Sequence, residues 1–108
     1  MRAILVNEEK NYVAYGSVQF HHQDHGGFDT VPHATIEVLI KSKGSESAGA
    51  TLYLWRYPCF ECAKAIVYAG IARIVYKYED NSDPTRTEAQ LLLDNSNVEV
   101  ICNPDLDF

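Results

Sequence analysis

The chain has 108 residues, of which 46% are hydrophobic and 22% are charged, and its formal net charge at pH 7 is −6. This balance is typical of a folded globular protein, and the length suffices for one domain, residues 1–108, but not for two. The nine Lys and Arg residues are scattered along the chain. That disfavours the clustered basic face of a nucleic-acid binder and favours a small-molecule ligand.

The sequence also bears on the compartment. No apolar run has the length of a membrane span, and the apolar run up to Val6 is too short for a signal peptide. Two of the three cysteines lie within one helical turn, which argues for a reducing compartment rather than a disulfide framework. We therefore expect a cytoplasmic protein without a membrane partner, or one of the host cytoplasm if the chain is viral.

The first third of the chain predicts a β-hairpin followed by a loop. Ala3–Val6 and Tyr12–Val18 are β-prone runs separated by five polar residues, a spacing that is typical of two antiparallel strands. Phe20–Val31 predicts a loop that contains three histidines, His21, His22 and His25. For these histidines a metal-binding role and a solvated loop beside an active site both stay open.

The segment from Pro32 to Lys41 predicts a helix that begins near His33. Its apolar residues Ile36, Leu39 and Ile40 fall at positions i, i+3 and i+4, which lie on one helical face. The β-branched content of the segment keeps a strand open as the alternative.

The second half of the chain alternates strands and helices. After a small, polar loop at Ser42–Gly49, a strand at Thr51–Trp55, a helix at Pro58–Gly70 and a strand at Ile71–Tyr78 predict a crossover unit with parallel strands. A further helix begins near Asp83 and Pro84, where Thr85 and Glu88 have the spacing of a capping box. The last strand is predicted at Asn97–Cys102, which gives a five-stranded mixed sheet with three helices.

The cysteines of the central helix indicate its chemistry. Cys59 and Cys62 lie three residues apart, so both sulfurs share a helix face, and the positive end of the helix dipole should lower their pKa values. Such a pair indicates a metal site or a redox pair, and buried thiols remain an alternative. With His33 the pair would supply three tetrahedral ligands and leave a fourth position for water, as in a catalytic zinc site. A lone histidine, however, is more often structural.

The order His33-Ala34, then Pro58-Cys59-x-x-Cys62, resembles the zinc-dependent cytidine deaminase superfamily, whose signature is His-x-Glu followed by Pro-Cys-x-x-Cys. The extended match, Gly49–Tyr53 followed by Pro58–Ile66 and Ala69–Ile71, is similar to deoxycytidylate deaminases. The resemblance covers residues 33 to about 101. It implies a three-layer α/β/α fold with a five-stranded mixed sheet, and a zinc ion held by His33, Cys59 and Cys62. It also implies hydrolytic deamination of a free pyrimidine nucleotide or nucleoside.

One position of the resembling motif has the wrong chemistry. The family's acid/base glutamate falls at Thr35, whose hydroxyl cannot shuttle a proton. General acid–base catalysis contributes roughly 10²–10⁴-fold, so activity should be reduced unless another residue supplies it. Glu37 is the candidate, either as a displaced proton shuttle or as an acceptor that fixes the His33 ring. A surface ion pair with Lys41 is the alternative.

The sequence indicates the residues that would contact a substrate less directly than it indicates the metal ligands. The family's nucleoside-binding turn is replaced by Gly16–Phe20, in which Ser17 or Gln19 could contact the substrate. Tyr57 belongs to a group of aromatic residues that could stack on a pyrimidine or pack the core.

Three functions therefore stay open. They are a divergent dCMP or cytidine deaminase, a catalytically silent deaminase-fold protein that binds zinc and a nucleotide or acts as a partner subunit, and a structural zinc domain. Ammonia release separates the first from the others, and nucleotide-dependent thermal stabilisation separates the second from the third. We also expect a homo-oligomer, because the family is oligomeric and the chain begins almost on its first strand, which leaves one sheet face thinly covered.

Overall fold

The fold is a mixed β-sheet with helices, seen in a computed structural model that describes residues 2–9, 11–17, 34–42 and 44–107. The elements are β1 (Arg2–Val6), β2 (Tyr12–Ser17), α1 (Ala34–Lys41), α2 (Gly44–Ser47), β3 (Thr51–Arg56), α3 (Phe60–Tyr68), β4 (Arg73–Tyr78), α4 (Arg86–Asn95) and β5 (Glu99–Cys102). The strand order is β2-β1-β3-β4-β5. None of the helices in these ranges is long and apolar enough to cross a membrane.

The strand directions follow the prediction. β1 pairs antiparallel with β2 and β3, while β3, β4 and β5 run parallel. The hairpin between β1 and β2 is closed by Asn7, whose N–H donates to the carbonyl of Asn11 at 2.9 Å and whose Oδ1 accepts from the N–H of Asn11 at 2.8 Å. The predicted loop at residues 20–31, with its three histidines, lies outside the described residues.

One face of the sheet carries the hydrophobic core. Alternate residues of the strands, such as Leu5 and Leu52, are fully buried there, because side chains on a strand alternate between faces. Val38 of α1, Ile66 of α3 and Leu93 of α4 are buried in the same cluster. The α/β fold with a five-stranded mixed sheet is confirmed, and α1, α3 and α4 are the three predicted helices, to which the one-turn α2 is added. Of the three predicted layers, the described residues form two, the sheet and one helical layer.

The other face of the sheet carries aromatic residues that are less buried. Tyr53 and Trp55 alternate with the core positions of β3 and are half-buried. The guanidinium carbon of Arg2 lies 5.2 Å from the centroid of the Trp55 ring, and the Nζ of Lys77 lies 5.0 Å from it. Cationic side chains therefore cover part of this aromatic face.

The helix α1 is confirmed, and the strand alternative is wrong, but the helix buries a different face from the predicted one. Ala34, Thr35 and Val38 are buried, whereas Ile40 is 77% exposed. The reason is the close approach of α1 to β2 at Gly16. A Cβ at that glycine would lie 2.6 Å from the Ala34 carbonyl oxygen and 2.7 Å from Val38 Cγ2.

The end of α3 depends on a glycine, and the position of α2 depends on a serine contact. α3 ends at Tyr68, and Gly70 acts as the predicted stop just after it, with φ of 79° and with the N–H of Ile71 donating to the carbonyl of Ile66 at 3.3 Å, the pattern of a Schellman motif. The loop predicted at residues 42–49 instead contains the one-turn helix α2. The hydroxyl of its last residue, Ser47, donates to the carbonyl of Ala69 at 3.2 Å, a tertiary contact that a local polar pattern does not predict.

The start of α4 corrects the predicted capping box. Thr85 occupies the position before the helix, but its side chain makes no cap hydrogen bond. Its hydroxyl instead donates to Asp83 Oδ1 at 2.8 Å and accepts from the backbone N–H of Phe60 at 3.0 Å. The threonine therefore joins the start of α4 to the start of α3.

Candidate active site

A cavity of about 140 Å³ lies where β3 and β4 end. Because these strands are parallel, their carboxyl ends meet at one edge of the sheet, where ligands of open α/β sheets usually bind. The residues that line it come from β1, α1, the end of β3 with the start of α3, and the loop after β4. They are Arg2, Ala34, Thr35, Leu54, Arg56, Tyr57, Pro58, Cys59, Cys62, Asp80 and Asp83.

The cysteine turn begins α3 at this cavity. Cys59 occupies the N-cap position with extended backbone, φ −75° and ψ 175°, and its carbonyl accepts the first helical hydrogen bond, from Ala63 N–H at 2.8 Å. Cys62 follows in the first turn and is buried, whereas Cys59 is half-buried. The Cys62 sulfur forms hydrogen bonds with Cys59 and with the hydroxyl of Thr35. The structure thus brings together three of the predicted site residues.

The acidity of Cys62 differs from the prediction. The hydrogen bond with the Cys59 thiol, and after it burial, raise the pKa of Cys62, and the Thr35 hydroxyl opposes this only in part. For Cys62 in the chain without a metal, the predicted lowering by the helix dipole is therefore wrong, because two touching thiols cannot both ionise cheaply. A metal cation bound between the two sulfurs would favour their thiolate forms, since coordinated thiols are deprotonated.

The donors at the cavity fit a zinc ion as far as the described residues extend. Cys59 and Cys62 are soft ligands on one turn, next to a cavity that can admit a small molecule. Ala34 lines the same cavity, and the residue directly before it is His33, which lies outside the described ranges. Within those ranges no three His, Cys, Asp or Glu residues come together as a metal site. The third ligand stays a prediction.

Of the predicted substrate residues, Tyr57 lines the cavity. Its side chain is buried, its ring centroid lies 4.9 Å from that of Tyr76 in an edge-to-face arrangement, and burial raises the pKa of its hydroxyl. Ser17 ends β2 opposite Arg2, which also lines the cavity. Gln19 lies outside the described residues. The contacts of Ser17 and Gln19 with a substrate stay predictions.

Glu37 lies on α1, but it is not among the described residues that line the cavity. Its carboxylate lies 3.8 Å from the Nζ of Lys41, one turn later, and that amine also donates to the carbonyl of Tyr15 at 3.0 Å. This arrangement matches the surface-pair alternative. The proton-shuttle role and the His33-acceptor role stay predictions.

The sequence reasoning missed four charged residues of the cavity: Arg2, Arg56, Asp80 and Asp83. They come from three separate segments, and no motif joins them. The available signal was topological, because residues that follow parallel strands converge at one sheet edge. The cavity therefore combines thiols, two cationic side chains and two carboxylates.

Comparisons with known proteins agree with this geometry. The family model described as MafB19-like deaminase matches residues 2–104. The deoxycytidylate deaminase of Pongo abelii is 34% identical over 71 residues, which cover 63% of this chain and 39% of that protein. The chain spans 34–39% of the length of the curated relatives that match first.

Two solved structures show the same fold. The dCMP deaminase of cyanophage S-TIM5, in complex with dCMP and dUMP, has a TM-score of 0.72 and 26% identity, with 94% of this chain and 79% of that chain covered. RibD of Acinetobacter baumannii has a TM-score of 0.74 at 23% identity, with 94% of this chain and 27% of that chain covered, and it supports the fold alone. The resemblance to the cytidine deaminase superfamily is thereby confirmed, and the chain belongs to the MafB19-like deaminase family.

Proposed function

We propose that the chain is a zinc-dependent hydrolytic deaminase of a free pyrimidine nucleotide, with dCMP as the first substrate to test. The observation that carries this proposal is the contact of Cys59, Cys62 and Thr35 at one cavity. The deoxycytidylate deaminases among the relatives, and the S-TIM5 structure with dCMP and dUMP, support the substrate class. We take residues 1–108 as one deaminase domain, and a cytoplasmic location stays a prediction.

The residues of the cavity suggest how the site would work. Zinc held by His33, Cys59 and Cys62 would supply a Lewis acid that lowers the pKa of a bound water toward ~7. The hydroxyl of Thr35 holds the Cys62 sulfur in place, as partners of metal ligands commonly do. Tyr57 forms an apolar wall against which a pyrimidine ring can pack, and Arg56 is a cation suited to a phosphate group.

Metal analysis and ammonia release together test the proposal. The purified chain should contain about one zinc per protomer, as expected for a single site. It should release ammonia from dCMP faster than from deoxycytidine or from adenine nucleotides. Zinc at that level with no ammonia from any of these substrates would overturn the deaminase function.

A second function, a catalytically silent protein that binds zinc and a nucleotide or serves as a partner subunit, is favoured by one observation. Thr35, at the position where the family has its glutamate, is buried and hydrogen-bonded to Cys62. This protein would be stabilised against heat by dCMP or dUMP without releasing ammonia. A purely structural zinc domain would show neither effect.

A further inference from the structure

Two carboxylates line the cavity among the described residues, those of Asp80 and Asp83, and neither belongs to the cysteine motif. Hydrolytic deamination moves protons in more than one step, and the group that moves them must both accept and donate. The hydroxyl of Thr35 cannot do this near neutral pH. A carboxylate from the loop after β4 could take over this role.

Asp83 is fixed relative to the cysteine turn. Its Oδ1 accepts hydrogen bonds from the backbone N–H and from the hydroxyl of Thr85, each at 2.8 Å. The same hydroxyl accepts the N–H of Phe60 at 3.0 Å, and Phe60 lies between the two cysteines. Two hydrogen bonds in series therefore hold this carboxylate against the first turn of α3.

The second oxygen of Asp83 takes no part in the hydrogen bonds that hold the residue in place. Both hydrogen bonds fall on Oδ1, and in the described part of the chain no donor contacts Oδ2. Asp80 differs, because its carboxylate accepts from Ser82 within its own loop at 2.8 Å and no described side-chain hydrogen bond ties it to α3. Of the two carboxylates, Asp83 is the one whose position is set by the site.

We propose that Asp83 is the acid/base residue of this site and replaces the glutamate that is absent at Thr35. The inference rests on the proposed deaminase function. The carboxylate accepts a proton from water as the water oxygen bonds to C4 of the pyrimidine, and it passes this proton to N3. It then takes the hydroxyl proton as the C4=O bond forms and delivers it to the amino nitrogen, whose bond to C4 breaks. Water is consumed and ammonia released, with no change of oxidation state.

The variant Asp83→Asn tests this role without removing the turn, because the amide Oδ1 can still accept from Thr85. With dCMP, kcat should fall by roughly 10²-fold or more, which is the usual contribution of acid–base catalysis. KM, zinc content and melting temperature should stay close to those of the wild type. Asp105→Asn is the control, since it removes the same charge from an exposed position that does not line the cavity, and it should leave kcat near the wild-type value.

A rescue and a binding measurement separate catalysis from a structural role. Adding Thr35→Glu to Asp83→Asn should restore part of the lost kcat, because a carboxylate returns at the family position. In the zinc-loaded protein, Asp83→Asn should bind dUMP more tightly than the wild type does, because the carboxylate repels the carbonyl oxygen of dUMP whereas an amide can donate to it. Calorimetry with dUMP, which is the product and is not turned over, can measure this affinity.

The outcomes are distinguishable. If the wild type deaminates dCMP and Asp83→Asn does so equally well, the inference is wrong and the proposed function stands. If the wild type binds zinc but deaminates nothing, the proposed function fails and the acid/base role with it. In that case an affinity for dUMP that Asp83→Asn leaves unchanged would also exclude contact of Asp83 with the group on C4.

Discussion

The guanidinium carbon of Arg86 lies 3.5 Å from the centroid of the Tyr57 ring, so the first residue of α4 covers a wall of the cavity. The Nε and Nη2 atoms of Arg86 each donate to a different oxygen of Glu79 at 2.9 Å. The hydroxyl of Tyr76 donates to the same carboxylate at 2.8 Å. One carboxylate therefore orients both the arginine and the tyrosine that pack against Tyr57.

Glu79→Gln should lower the free energy of unfolding near neutral pH by about 1 kcal/mol, a modest value because the pair is partly exposed. The hydrogen bonds from Arg86, reinforced by that of Tyr76, hold the pKa of Glu79 below its ordinary value. Near that pKa the unfolded chain binds more protons than the folded one, so the stabilisation is complete above about pH 5 and is lost as the pH falls through the folded pKa.

Denaturant unfolding at pH 7 and at about pH 3 measures this effect. The stabilities of wild type and Glu79→Gln should differ at the higher pH and converge at the lower one. Glu99→Gln is the control, because its ion pair with Arg73 is more exposed and should contribute less. A difference between wild type and Glu79→Gln that does not change with pH would contradict the assignment.

Cys62→Ser should abolish zinc binding and remove the thermal stabilisation that zinc gives the wild type, because metal binding and folding are linked at such sites. Cys102→Ser is the matched control, since Cys102 is exposed at the end of β5 and does not line the cavity. Metal content and melting curves with and without zinc measure both effects. Full zinc occupancy in Cys62→Ser would exclude the proposed ligand set.

Local patterns predicted most elements of the fold, and tertiary contacts decided the rest. The alternation in β1 and β3 and the glycine after α3 act over a few residues, so the sequence indicates them directly. The buried face of α1 depends instead on Gly16, which lies on another element. The predicted capping box is wrong because the hydroxyl of Thr85 instead donates to Asp83 and accepts from the backbone N–H of Phe60.

The residues of the candidate site likewise divide into those that a local pattern predicts and those that only the tertiary fold brings together. Cys59 and Cys62 belong to one turn, and their spacing alone predicts that they share a face. Asp83 comes to the cavity only because β3 and β4 run parallel and end at the same edge. Such convergence requires the strand order, and a single sequence specifies that order less directly than it specifies a motif.

Gly16→Ala should destabilise the protein by roughly 1–3 kcal/mol, because an added methyl overpacks the contact between β2 and α1. The new Cβ would lie 2.6 Å from the Ala34 carbonyl oxygen, and backbone atoms cannot move aside cheaply. Since Ala34 and Thr35 begin α1 at the cavity, zinc affinity should fall as well. Unfolding and metal titration measure the two effects, and wild-type stability would contradict the close approach.

The predicted homo-oligomer can be tested at the aromatic face of the sheet. Tyr15 and Ile101, each 36% exposed, flank the half-buried Tyr53 and Trp55 on this face. If the face is an interface between copies, Tyr53→Lys should lower the mass measured by light scattering, because it places a charge among apolar contacts. Wild-type protein that is monomeric at micromolar concentration would contradict the predicted homo-oligomer.

Glu37→Gln distinguishes the roles predicted for that residue. Its carboxylate and the amine of Lys41 are both substantially exposed, and such an i,i+4 pair contributes about 0.3–0.5 kcal/mol. We therefore expect unchanged zinc content, unchanged deamination and a small loss of stability, and Lys41→Gln should cause a similarly small loss.

The same variant would reveal either alternative through a different measurement. Lost deamination with zinc retained would make Glu37 the proton shuttle, and it would then compete with Asp83 for that role. Weaker zinc affinity would indicate that Glu37 fixes the ring of His33, because partners of metal ligands commonly change affinity by 10–100-fold. Combining Glu37→Gln with Asp83→Asn decides between the two carboxylates: if Asp83 alone moves the proton, the double variant is no slower than Asp83→Asn.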